Sequence, residues 1–174
     1  MVRVVSPGYF NAVGLRLVSG RFLSERDGIT HAPTAVISEA MSRKYWPGLD
    51  PVGRRFRFDD PQLPYFTVMG VIADSHFQSI EAAPLPMVYL SSLQDLPVEA
   101  VFYPRDLAIR TTGDPATYVA AVRQCIWSVD SEQAISSVQT LSGLVDDHLA
   151  SYKLEAELFS WFAVGALLLS SIGV

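Results

Sequence analysis

The last seventeen residues, LFSWFAVGALLLSSIGV over 158–174, carry no charge. At about 1.5 Å of rise per residue they span roughly 25 Å as a helix, close to the ~30 Å hydrocarbon core of a bilayer. Trp161, with Phe159 and Phe162, stands where the run begins, as residues of an aromatic belt do. Gly165, Ser170, Ser171 and Gly173 are the small residues that let membrane helices approach closely. Lys153, Glu155 and Glu157 stop where the run starts. The expectation is a folded domain over 1–152 that feeds into the start of a transmembrane helix over 153–174, with the helix continuing past Val174. The competing reading is a buried helix of a soluble core, which is also apolar all round.

Without that tail the composition is that of an ordinary globular chain, and 174 residues leave room for one domain or two small lobes. The net charge of −5 and the lack of a basic patch argue against a nucleic-acid partner. A single cysteine, Cys125, excludes an internal disulfide. Its place among the apolar positions of a predicted helix suggests a buried thiol. The opening, MVRVVSPGYF, lacks the apolar stretch of a signal peptide, so an exported domain is expected to need a preceding segment.

Strand patterns fall at 2–5, 15–18, 34–37, 54–58, 66–73, 87–90, 107–111 and 134–138. The run FTVMGVIA over 66–73 is the longest and reads as a central strand. It should form a hairpin with 54–58. Ser6 and Pro7 predict a short helix over 7–13, closed by Gly14. Ser19-Gly20 reads as a turn and 24–33 as a loop. Ser38 predicts the cap of a helix over 39–45, ended by Trp46-Pro47-Gly48. Asp114-Pro115 predicts a helix start, with Val119, Val122, Ile126 and Val129 as one apolar stripe. Leu141, Leu144, Val145, His148, Leu149 and Tyr152 mark a last amphipathic helix that runs into the tail without a breaker. Strands and helices intermixed, with a hairpin, predict an α+β domain with a mixed sheet.

Motifs that carry chemistry are missing. There is no GxxxxGKS/T phosphate loop, no GxGxxG after a strand, no HExxH, no CxxC and no GxSxG elbow. His31, His76 and His148 are more than forty residues apart and give no local metal-ligand spacing. Asp74-Ser75-His76 is a polar loop after a strand before it is a catalytic trio. Asp59 and Asp60 could pair as acid and base, but beside Pro61 they read as a solvated turn. Arg54, Arg55 and Arg57 form the one basic cluster. Arg55 and Arg57 share a strand face that could meet anionic headgroups or a partner, but a solvated sheet face is the default reading.

Four segments in order resemble a known family: SPGYFNAVGLRLVSGRFLSERD (6–27), AVISEAMSRKYWPGLDPVGRRFRF (35–58), VMGVIADSHFQSIEAAPLPMVYL (68–90) and IRTTGDPATYVAAVRQCIWSVD (109–130). Together they resemble the extracytoplasmic domain of MacB/FtsX-type ABC transporter permeases, with SPGYF and YWPG-x-DP-x-G most similar to the acidobacterial-type permease family. The tail is similar to the helix with which such domains re-enter the membrane. The resemblance implies a periplasmic core-like α+β domain, incomplete at its amino end, on the outer side of the inner membrane. It implies a second permease module, a cytoplasmic ABC ATPase and membrane lipid as partners, and ATP-driven motion passed across the membrane for export or efflux. It implies no catalytic, cofactor-binding or metal-binding residue, and none is assigned. SPGYF and YWPG-x-DP-x-G are expected to be structural, with Tyr45 and Trp46 filling space beneath a turn shaped by Gly48 and Pro51.

Two other classes stand beside this reading. One is an interaction module that docks a periplasmic adaptor through Leu93, Leu96, Val98, Val101 and Phe102. The other is a soluble α+β enzyme domain whose last helix is buried.

Overall fold

Short runs of β-branched and aromatic residues separated by Pro, Gly and Ser make the strands, and two helices fall between them. The computed structural model describes residues 1–28, 32–75, 83–94, 106–144, 159 and 162. These form two compact units, Met1–Arg110 and Thr111–Val174.

The first unit contains β1 (Val2–Val5), α1 (Tyr9–Val13), β2 (Leu17–Gly20), β3 (Thr34–Ser38), α2 (Glu39–Tyr45), β4 (Arg55–Phe56), β5 (Phe66–Ile72) and β6 (Val88–Ser91). They build one mixed sheet in the order β1-β6-β3-β5-β2. β1 runs parallel to β6 and β3 parallel to β5, while β3 with β6 and β2 with β5 are antiparallel. β4 forms the expected antiparallel hairpin with the start of β5, pairing Phe56 with Phe66. β2 takes the other half of the same edge, opposite Gly70, Val71 and Ile72. The central strand is therefore β3, with β5 beside it and paired on both edges. All five β3 residues, TAVIS, are buried, as befits a strand covered on both faces.

Alternation along β3 and β6 divides the core between the two faces. Ala35, Ile37, Val88 and Leu90 pack with Met41 of α2 on one face, joined by Trp46, Val52, Phe56 and Phe58. Val36, Met87 and Tyr89 pack with Phe10 of α1, Val5 and Leu23 on the other. A bulge keeps β5 in step. Ala35 pairs with Val68 but Val36 pairs with Gly70, so Met69 is the extra residue. Past it, Val71 lies with Phe66 and Val68 on the α2 face, whereas strict period two would have turned it over. The bulge also sets Gly70 against β2. A Cβ there would lie 2.3 Å from the Arg21 carbonyl oxygen, so only glycine fits.

Local chemistry explains α2. The Ser38 hydroxyl accepts from the Met41 N–H at 3.2 Å, an N-cap bond. The helix ends at Tyr45, and the Leu49 N–H bonds the Trp46 carbonyl across Pro47-Gly48, with Gly48 at φ +72°. Trp46 packs on the core, while Tyr45 is 55% exposed and does not lie beneath this turn. At α1, Gly14 adopts φ +76° as the closing residue, but Ser6 makes no side-chain cap; its carbonyl accepts from the Tyr9 N–H. Ser19 and Gly20 belong to β2 rather than to a turn.

In the second unit the Asp114 carboxylate accepts from the Ala116 N–H at 3.0 Å, as the sequence predicts. Pro115–Tyr118 form one 3-10 turn before α3 (Val119–Val129). Val119, Val122 and Ile126 are half-buried, but Val129 is 88% exposed and no α3 residue is fully buried. Cys125 is exposed, so the expectation of a buried thiol fails: among the described residues nothing covers its side of the helix. Residues 107–111 and 134–138 are not strands, because no described strand pairs with them. Residues 141–144 are helical. Among the described residues no helix is long and apolar enough to cross a membrane. Apart from Phe159 and Phe162, both helical, the expected membrane segment lies outside the described residues.

Candidate functional site

Three polar constellations in the first unit are candidates for chemistry. The first is a clip in the stretch after β2. Arg21 grips Asp27 with two parallel bonds, Nη1 to Oδ2 at 2.6 Å and Nη2 to Oδ1 at 2.7 Å. The Ser24 N–H and hydroxyl also donate to Asp27, at 2.8 and 2.9 Å. The Arg21 hydrogen bonds, with those from Ser24, hold the Asp27 carboxyl down to about 2, against the burial that opposes them. A carboxylate this fully used holds its loop in one shape and has no capacity left to move a proton. The signal was present in the sequence: Ser24-x-x-Asp27 is a capping box, and the structure shows both halves of it.

The second constellation gathers on the start of α2. Asp74 Oδ1 accepts from the Ala40 N–H at 2.7 Å and Oδ2 accepts from Arg43. Of the Asp74-Ser75-His76 trio, Asp74 is thus a helix-capping group, Ser75 faces Tyr89, and His76 lies outside the described residues.

The third lies where β1, α1 and β6 meet. The Arg3 guanidinium lies close to the Tyr9 hydroxyl. The Tyr89 hydroxyl is buried, faces Ser75 and makes no hydrogen bond of ordinary geometry. Burial raises both tyrosines above the usual phenol value, with the nearby Arg3 charge opposing. The rings of Tyr9, Phe10, Phe22 and Tyr89 stack edge and face beneath them. Sequence patterning missed this group, because strands far apart in the chain bring it together.

The other sequence candidates stay apart. Asp60 Oδ1 accepts from the Gln62 N–H at 2.9 Å, an Asx turn in solvent, and Asp59 is exposed beside it. Arg54 donates from Nε to the Asp50 carbonyl at 2.8 Å, Arg57 lies 5.2 Å from the centre of the Tyr65 ring, and Arg55 is exposed. His31, His76 and His148 lie outside the described residues, as do Leu96, Val98, Val101 and Phe102; Leu93 is 40% exposed. Among the described residues no three His, Cys, Asp or Glu side chains cluster as metal ligands. The Arg21–Asp27 and Arg43–Asp74 pairs each hold one stretch of chain against another. None of the three constellations places a nucleophile beside a base.

This mixed-sheet architecture has known counterparts. The sequence model of the MacB-like periplasmic core domain matches residues 1–141. The chain belongs to that family. A similar solved structure is the periplasmic region of MacB from Actinobacillus actinomycetemcomitans, at TM-score 0.52 and 20% identity, covering 71% of this chain and 54% of that one. The chain therefore spans about half the length of that MacB region, and the likeness shows a common fold. Two further matches are a permease-protein domain from Porphyromonas gingivalis (TM-score 0.46, 19% identity, 82% of this chain and 69% of that one) and the extracellular domain of the noncanonic ABC-type transporter YknZ from Gram-positive bacteria (TM-score 0.40, 19% identity, 52% and 42%). No curated protein sequence matches the chain.

Proposed function

We propose that this MacB-like periplasmic core domain is the non-catalytic extracytoplasmic part of an ABC transporter permease and passes ATP-driven movement across the membrane for export or efflux. The family match over residues 1–141 carries this reading. The polar groups of the first unit support it, because they brace segments rather than converge on a substrate. The uncharged run over 158–174 supplies the membrane attachment, as the beginning of a transmembrane helix. The folded part then stands outside the inner membrane. A second permease module and a cytoplasmic ABC ATPase are its partners, and lipid surrounds the tail.

Movement is transmitted through packed, rigid elements rather than through soft ones. A Gly-Gly insertion after Glu155, in the parent permease reconstituted with its ATPase, tests this. Hydrolysis should persist while export per ATP falls severalfold. Unchanged coupling would overturn the reading.

A further inference from the structure

The first unit ends in residues 106–110, every one of them exposed, with Leu107 at 69% and Ile109 at 51%. No described strand pairs with this segment. Its last residue nonetheless reaches back across the sequence to α1. Arg110 Nε donates to the Ala12 carbonyl at 3.2 Å, one of the helix-end carbonyls that has no partner further along α1. Arg110 Nη2 covers the next turn. A Cβ at Gly14 would lie 2.6 Å from it. Gly14 is held to glycine by φ +76°, and a Cβ there would have to push the end of the Arg110 side chain aside.

α1 is a firm anchor. Phe10 is fully buried, its ring stacked 5.1 Å from Phe22 and edge-on to Tyr89 of β6 at 5.5 Å. A pull on the chain beyond Thr111 therefore meets Arg110 first, then α1, then the sheet. Without that hold the exposed segment would take up the displacement by straightening.

We propose that Arg110 is a clasp that fastens the connecting segment to the end of α1 and makes α1 the point where load enters the sheet. This rests on the mechanical reading above for its purpose, but not for its geometry. Arg110 is a positioning residue.

Backbone and side-chain ¹⁵N relaxation on the full chain in detergent micelles tests the clasp. The Arg110 Nε–H should show an order parameter close to that of rigid backbone, about 0.85, while the exposed Arg55 and Arg123 fall below about 0.6. Arg110→Ala should drop the amides of 107–112 toward the flexible range and leave those of β3 and β5 unchanged. Gly14→Ala should release Arg110 by a different route, and the double variant should loosen 107–112 no further than either single one. Arg110→Lys keeps the charge without the planar fork and should restore only part of the order. An Arg110 Nε as mobile as Arg55, or unchanged amides in Arg110→Ala, would overturn the clasp. A loosened segment with unchanged export per ATP in the reconstituted parent transporter would leave the clasp standing and overturn its transmitting role.

Discussion

Two stretches of this chain are comparably apolar and end up differently. β3 reads TAVIS and every residue is buried. α3 reads VAAVRQCIWSV and none is fully buried. The difference is not in the side chains but in what lies across from them. β3 has a strand on each edge and a helix over each face, with Met41 on one side and Phe10 on the other. The stripe of α3, from Val119 to Val129, fades into solvent at its far end. Apolar periodicity states which face of an element is to be covered; the coverage itself depends on partners from elsewhere in the chain or beyond it.

The contrast sets the size of mutational effects. Phe10→Ala removes a ring buried from all sides and should cost about 3–5 kcal/mol, read as a lowered denaturation midpoint in urea. A cost below about 1 kcal/mol would mean that the α1 face is not a packed core. Gly70→Ala should cost about 1–3 kcal/mol by overpacking, since its Cβ meets the Arg21 backbone rather than a movable side chain. Thermal melts should show it, and a wild-type midpoint would dissolve the bulge argument.

Acid should loosen the same unit through Asp27. Its folded carboxyl lies at about 2, below the ordinary 3.8. The stabilisation is therefore present above about pH 4 and drains away as pH falls toward 2. Arg21's side chain is 44% exposed, so screening by water keeps the effect to about 1–2 kcal/mol. Comparing Asp27→Asn with the parent across pH 2–6 isolates it: the variant should have lost that part of the slope. On the other side of the contrast, Val129→Ser should change stability by no more than about 0.5 kcal/mol. A large loss would show that α3 is covered after all.

The same division explains what the sequence could reveal. α2 was legible to the residue, because Ser38 and Tyr45-Trp46-Pro47 are local signals. The Asp114 cap was legible too, and so was the hairpin of β4 with β5, although the paired part is Arg55–Phe56 rather than all of 54–58. The Met69 bulge was not, since it exists only against the register of β3. Residues 107–111 and 134–138 have strand composition but no described strand to pair with, and pairing is a long-range condition. Cys125 sits at an apolar position on the side of α3 that no described residue covers. The clip at Asp27 was written in Ser24-x-x-Asp27, whereas Arg3, Tyr9 and Tyr89 come from three separate elements and meet only in the fold.

The exposed thiol that patterning misplaced offers a direct test of where the domain stands. Cys125 is the one cysteine in the chain and lies on the surface of α3. Spheroplasts carrying the parent protein, treated with a membrane-impermeant maleimide, should label Cys125 as fast as lysed membranes do, with Cys125→Ser as the blank. Labelling that appears only after lysis would put the domain inside the cell and contradict the account.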